Sequence, residues 1–99
     1  MFNNLAHEYE FLDMHGLTKV MCIKTLKEKL NDIQSELDRS KLKPNHGDSH
    51  IFHVITGAGN HSQGRAVLKY AVDSWLQAQG FDYYPDITHG QFLVRLSKR

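Results

Sequence analysis

Asp13 and His15 lie two residues apart in the segment "EFLDMHG", which alternates between two sets of side chains. Such alternation predicts an extended strand, and residues i and i+2 of a strand project to the same side. A histidine can accept or donate a proton near neutral pH, and a neighbouring carboxylate can orient it. The pair could therefore perform acid–base chemistry. The alternative is a capping carboxylate beside a half-exposed histidine at a strand end.

A second candidate is the loop in "VITGAGNHSQGRAVLK", where an apolar strand breaks at three glycines and resumes as a helix. Backbone N–H groups in such a loop can face an anion, and the helix dipole reinforces the attraction. The alternative is a tight turn that needs glycine only for positive φ angles. Hydroxyl, imidazole and cationic side chains cluster there, which favours phosphate. The predicted phosphate-binding residues are Thr56, Gly57, Gly59, Asn60, Ser62, Arg65 and Lys69, with His89 from a later turn.

Two familiar nucleotide motifs do not fit this loop. A Walker A loop needs Lys and a metal-binding hydroxyl where this chain has Arg65 and Ala66. The dinucleotide fingerprint needs a third glycine where Ser62 stands, and it follows a first strand rather than a second. Neither a nucleotide-hydrolysing P-loop nor a dinucleotide site is predicted.

Seven histidines raise the question of a metal. His46, His50 and His53 are spaced by four and three residues, but no second cysteine or helical pair supports a zinc site. His15, His61 and His89 could meet at one sheet edge, yet they have no spacing signature. We expect no metal and no cofactor, with that second set as the open alternative.

The pattern along the chain predicts six elements. Strands are expected at 9–14, 50–56, 81–84 (ended by Pro85) and 90–96, and amphipathic helices from Thr18 to about 37 and over 65–79. The second strand is apolar on both faces apart from His53, which is typical of a strand covered on two sides. The fold class is α/β, a two-layer β-α-β-α-β-β sandwich with a four-stranded mixed sheet and two helices.

This order predicts where the candidate residues meet. The first two strands flank a crossover helix and should be parallel, so the segments that follow them share one edge of the sheet. That edge is the usual ligand-binding edge of open α/β sheets. Asp13 and His15, the glycine loop, and the turn of His89 are all expected there.

Bulk composition limits the possible partners. The 99 residues include 12 Lys and Arg against 11 Asp and Glu, so the whole chain has no strong attraction to nucleic acid or membranes, and an anion site must be local. One cysteine, Cys22, allows no internal disulfide. No signal peptide or long apolar segment is visible. We expect a cytoplasmic protein without a membrane partner.

Three motifs resemble one known family. "LDMHG", followed about forty residues later by "ITGAGNHSQG" and then by "HGQFLV", is similar to the Smr (small MutS-related) domain over residues 10–97. The "GNHSQG" segment looks most like eukaryotic members at the C-terminus of larger multidomain proteins. The implied organisation is an N-terminal extension at 1–8 and an Smr domain at 9–99. The implied fold is similar to the C-terminal domain of a bacterial translation initiation factor.

The resemblance implies an endonuclease or nucleic-acid-binding domain that is part of a longer protein, and we expect the domain to be a monomer. Some relatives nick DNA, and several eukaryotic ones cleave messenger RNA on collided ribosomes. By motif position Asp13 and His15 match the functional "LDxH" pair, and we assign His61 as the candidate proton donor. The hypothesis is metal-independent cleavage of RNA by these three residues. The alternatives are a non-catalytic RNA- or DNA-binding module and a domain that docks on ribosomes.

Overall fold

The computed structural model describes residues 8–57 and 63–99, with the backbone alone at 63–66. The elements are β1 (Phe11–Asp13), α1 (Lys19–Asp38), β2 (Ser49–Ile55), α2 (Gln63–Ala78), β3 (Asp82–Asp86), a single 3₁₀ turn (Ile87–His89) and β4 (Gln91–Ser97). The predicted order is confirmed. None of the helices in these ranges is long and apolar enough to span a membrane.

The four strands form one mixed sheet in the order β1-β2-β4-β3. β1 is parallel to β2, as predicted for a crossover unit, while β2–β4 and β4–β3 are antiparallel. The registers place Asp13, Ile55, Gln91 and Asp86 in one row across all four strands. We call this row the site row.

The helices cover one face of the sheet because each presents an apolar stripe at helical spacing. In α1 the buried stripe is Cys22, Leu26, Leu30, Ile33 and Leu37. In α2 it is Leu68, Val72 and Leu76. The Thr18 hydroxyl accepts a hydrogen bond from the Met21 N–H, which confirms Thr18 as the N-cap of α1. These stripes pack on the inward residues of β2 and β4 and on Met14, which follows β1; the strand residues are Phe52, Val54, Phe92, Val94 and Leu96.

The other face of the sheet has no helix over it within the described ranges. We call it the open face, and its side chains are Phe11, Asp13, Ser49, Ile51, His53, Ile55, Asp82, Tyr84, Asp86, Gln91, Leu93, Arg95 and Ser97. In β2, residues alternate between buried and half-buried along the whole strand. The prediction that β2 is covered on both sides is therefore wrong, because its outward apolar residues face this half-exposed surface.

The prediction that Pro85 ends the third strand is also wrong. β3 continues through Pro85 to Asp86. Because β3 is an edge strand with β4 as its neighbour, a residue without an N–H can lie within it and leave the β4 ladder intact. The extra residues matter for the site, since Asp86 is the β3 member of the site row.

Candidate functional site at one edge of the sheet

Asp13 and His15 lie together at the end of β1, as predicted. The Asp13 carboxylate accepts a hydrogen bond of 3.0 Å from the backbone N–H of His15. The same oxygen is 3.8 Å from His15 Nδ1, an ion-pair distance that is too long for a hydrogen bond. Their side chains are 54% and 68% exposed. Both side chains are therefore accessible to a substrate, and their buried neighbour Met14 fixes the strand end in the core.

The start of the glycine loop is tied to the turn before β4. The N–H groups of Thr56 and Gly57 both donate to the Gly90 carbonyl at 3.0 Å, and the Thr56 hydroxyl lies 3.5 Å from the same oxygen. Gly57 has a φ of 102° and Gly90 a φ of 64°, so each turns the chain in a conformation that favours glycine. The loop after β2 and the turn before β4 are therefore held against each other.

This contact changes how the loop could bind phosphate. The amides of Thr56 and Gly57 already donate to Gly90, and the Thr56 side chain is only 1% exposed. In this conformation, N–H groups for a phosphate must come from beyond Gly57. The phosphate-binding role of these two residues stays a prediction, and the structure gives them a positioning task.

Most of the remaining predicted phosphate-binding and catalytic residues lie outside the part of the chain that the structure describes. Gly59, Asn60, His61 and Ser62 lie outside the described residues, and so does the side chain of Arg65. α2 begins at Gln63, which confirms the strand–loop–helix order around them. Lys69 follows on α2 with a half-buried side chain.

His89 belongs to a chain of hydrogen bonds that sequence reasoning missed. Its Nδ1 donates to the Asp86 carboxylate at 3.0 Å, the Gln91 amide donates to that carboxylate at 2.9 Å, and His53 Nδ1 lies 3.1 Å from the Gln91 Oε1. A carboxylate only accepts, so Nδ1 of His89 carries the hydrogen and Nε2 is the ring nitrogen left for a ligand. The Asp86-x-x-His89 spacing was the available signal in the sequence.

Asp86 organises this chain electrostatically. Hydrogen bonds from the Gln91 side chain and then from His89 hold the pKa of the Asp86 carboxyl below its usual range. Its side chain is 20% exposed, whereas His89 is 71% exposed. The arrangement presents an accessible imidazole fixed by a carboxylate, which can bind a phosphate oxygen or transfer a proton.

The lowered pKa predicts how Asp86→Asn changes stability with pH. A carboxyl whose folded pKa is lowered contributes stability above its unfolded value of about 3.9, and that contribution is lost as pH falls through the folded pKa. The melting temperature of Asp86→Asn should therefore lie below that of the wild type at pH 6. The difference should shrink as pH falls below 4.

Thermal unfolding between pH 6 and pH 2.5 measures this effect. Asp82→Asn is the matched control, because Asp82 pairs with Arg95 at 2.9 Å with both side chains more than half exposed, and such pairs contribute little. A gap between wild type and Asp86→Asn that is the same at every pH would contradict the assignment.

The three clusters meet at one edge of the sheet. Asp13 is opposite Ile55 at the end of β2, and Ile55 is opposite Gln91 at the start of β4. With strands spaced about 4.8 Å apart, the backbones at Asp13 and Gln91 are roughly 10 Å apart. The topological prediction that the acid–base pair, the start of the glycine loop and the His89 turn share an edge is confirmed.

Metal ligation was the open alternative for this edge. Across 8–57 and 63–99, no three His, Cys, Asp or Glu side chains converge in a way that could hold a metal ion. The set His15, His61 and His89 includes a residue outside those ranges, so it stays a hypothesis. The three histidines at 46, 50 and 53 do not converge: His50 is buried with its Nε2 against the Tyr9 carbonyl, whereas His53 lies on the open face.

Comparison with known proteins was made at the level of sequence and of structure. No protein-family model matches the chain, and no curated protein matches it. The solution structure of the B3BP Smr domain is 32% identical with a TM-score of 0.72, covering 97% of this chain and 87% of that one. The crystal structure of the human small-MutS related domain is 30% identical with a TM-score of 0.67, covering 87% and 99%. The solution structure of the SMR domain of NEDD4-binding protein 2 is 32% identical with a TM-score of 0.69, covering 91% and 88%.

Proposed function

This chain belongs to the Smr (small MutS-related) domain family, and from that premise we propose that it is an endonuclease domain that cleaves RNA. The observation that carries the proposal is the meeting of Asp13 and His15 with the start of the glycine loop at one edge of the sheet. A proton-transferring pair beside a loop that leads into a helix N-terminus supplies both the acid–base groups and the charge stabilisation that can catalyse phosphodiester cleavage.

The proposed chemistry is transesterification without a metal. The 2′-hydroxyl attacks the adjacent phosphorus, Asp13 or His15 takes its proton, and the bond to the 5′-oxygen breaks. His61 donates a proton to that leaving oxygen. Arg65 and Lys69, with loop N–H groups, neutralise the charge that develops on the phosphate. The accessibility of the first pair supports this assignment, since both side chains are more than half exposed.

His89 adds a contact on the far side of the same edge. Fixed by Asp86, which lies three strand spacings from Asp13 along the site row, the ring in its protonated form would donate from Nε2 to a phosphate oxygen of the same strand. DNA lacks the 2′-hydroxyl, so nicking of DNA would need water as the nucleophile. We therefore propose RNA as the preferred substrate.

The proposed setting is messenger RNA quality control on stalled ribosomes in the cytoplasm. The domain would act as a monomer within a larger multidomain protein that brings it to the ribosome. This setting rests on the resemblance of the "GNHSQG" segment to eukaryotic family members.

The alternative function is RNA or DNA binding without cleavage. One sequence feature favours it: Ala58 stands between two loop glycines where many family members have Lys or Arg. The near-neutral charge of the chain also gives little general attraction to phosphate. In that case the same edge would hold the strand and a partner protein would cut it.

The chemistry of the products tests the proposal. Incubation of the domain with labelled single-stranded RNA should give products ending in a 2′,3′-cyclic phosphate and a 5′-hydroxyl, with a rate unchanged by EDTA. The same oligonucleotide carrying 2′-deoxyribose at the cleaved position should resist. Loss of cleavage in EDTA, or products with a 3′-hydroxyl, would overturn the mechanism. Binding without cleavage would favour the alternative.

A further inference from the structure

The open face of the sheet carries a groove that runs away from the site row. Its larger part has a volume of about 780 Å³, with Ile51, His53 and Leu93 on the sheet surface and Tyr84, Arg95 and Asn45 around them. Binding sites for small molecules have volumes of about 300–1,000 Å³. The groove is therefore large enough for a nucleoside.

The groove connects to the candidate site through His53. A smaller hollow of about 320 Å³ is lined by Phe11, His53, Ile55 and Gln91, with Glu10 at its rim. Ile55 and Gln91 belong to the site row, and His53 lines both the hollow and the groove. A strand whose phosphate lies at Asp13 could thus continue over the sheet without leaving the surface.

The position of Tyr84 suits the nucleotide next to the cut. Tyr84 is 63% exposed on the open face and is opposite Leu93, two residues along β4 from Gln91. At 3.3 Å per residue, this places it about 7 Å from the site row along the strands, the scale of one nucleotide.

The charges around the groove are matched within the protein. Arg95 pairs with Asp82 at 2.9 Å, and Asp86 with His89 at 3.0 Å. Among the described residues that line the groove, there is therefore no excess positive charge for phosphate and no unmatched acid for a basic peptide. The groove offers an aromatic ring, aliphatic side chains and the His53 imidazole, which are the contacts that a neutral, flat nucleobase makes on a sheet.

Asn45 completes the groove at its end far from the site row. Its side-chain amide donates to the Ile51 carbonyl, and its carbonyl accepts from the Ile51 N–H at 2.8 Å. Because β1 is only three residues long, Ile51 has no partner in β1, and Asn45 takes that place. The loop before β2 is thereby held beside the sheet as a fixed wall.

We propose that the open face binds an unpaired nucleobase of the strand whose phosphodiester lies at Asp13 and His15, with the base stacked on Tyr84. This inference rests on the proposed function and narrows its substrate to RNA that is single-stranded beside the cut. A base inside a duplex is stacked on its neighbours and cannot lie flat on the sheet.

Binding of a 2′-O-methyl RNA hexamer, which has no free 2′-hydroxyl to attack, tests the proposal separately from cleavage. Tyr84→Ala should weaken binding of the single-stranded hexamer on the order of tenfold, and Tyr84→Phe should restore it. Tyr70→Ala is the matched control, because Tyr70 is a 71% exposed tyrosine on α2. It should bind as the wild type does.

Two further measurements vary the salt concentration and compare single-stranded with double-stranded RNA. The slope of log Kd against log salt should be the same in Tyr84→Ala and the wild type, since tyrosine neutralises no phosphate. The same hexamer in a duplex should bind with equal affinity to both proteins. If Tyr84→Ala is poorly folded, NMR shifts of Leu93 and His53 on adding the hexamer to the wild type decide the question.

Several outcomes would overturn the proposal that the open face binds a nucleobase. These are no binding of the single strand by the wild type, equal losses in Tyr84→Ala and Tyr70→Ala, and NMR shifts confined to the helices, which would place the RNA on the helical face instead. The base-binding proposal can fail while the nuclease proposal stands. Cleavage that needs Asp13, together with unchanged hexamer binding in Tyr84→Ala, would support the nuclease and contradict base binding at Tyr84. Hexamer binding that needs Tyr84, in a protein that does not cleave RNA, would support base binding on the open face and contradict the nuclease proposal.

Discussion

The double substitution Asp13→Asn, His15→Ala is expected to lower the rate of RNA cleavage about 100-fold or more. Asparagine cannot act as a base, and alanine removes the imidazole, so neither proton acceptor of the proposed mechanism remains. The side chains are 54% and 68% exposed, and their loss removes no core contact. The melting temperature should therefore stay close to that of the wild type.

The measurement is the single-turnover rate on labelled RNA with enzyme in excess, which separates chemistry from product release. The double variant Asn31→Ala, Asp32→Asn is a matched control. It removes one carboxylate and one polar side chain from two adjacent, exposed positions of α1. It should cleave at the wild-type rate. Cleavage by the Asp13–His15 double variant at that same rate would remove both residues from the mechanism.

Phe52→Ala is expected to have the largest effect on stability, a loss of about 3–5 kcal/mol in the free energy of unfolding. Phe52 is fully buried in the middle of β2, on the face that both helices cover. Truncation removes apolar contact and leaves a cavity that the two-layer core cannot fill. Since a domain of this size has about 5–15 kcal/mol in total, a large part of its stability would be lost.

Urea denaturation measures the loss as a lower midpoint with an unchanged slope. Phe11→Ala is the control, because Phe11 is opposite the next residue of β2, His53, but lies 44% exposed on the open face. Its loss should be clearly smaller. Equal losses in the two variants would mean that the open face is covered in solution, and would contradict the two-layer arrangement.

Much of the fold was predictable because it depends on local patterns. The leucines of α1 recur at helical spacing, Thr18 precedes them as an N-cap, and both features appear in the structure. The parallel pairing of β1 and β2 follows from the crossover helix between them. From that pairing, the meeting of Asp13 and the glycine loop at one edge could be inferred without coordinates.

Where the prediction failed, the deciding contact was distant in the chain. An apolar strand with half-buried outward residues, such as β2, has the same sequence pattern as one buried on both sides. Pro85 usually ends a strand, but an edge strand tolerates it. Neither distinction can be made until the order of the strands is known.

The sequence by itself determined the elements, their order and the chemical types gathered at the candidate site. Only the tertiary structure decided that the Gly90 carbonyl accepts hydrogen bonds from the amides of Thr56 and Gly57, and that Gln91 links His53 to Asp86. The physical reason is that periodicity and capping act within a few residues, whereas these hydrogen bonds depend on the register of strands up to 38 residues apart. A shift of one residue in the β2–β4 register would turn these side chains to the other face and break the hydrogen bonds that link His53, Gln91 and Asp86.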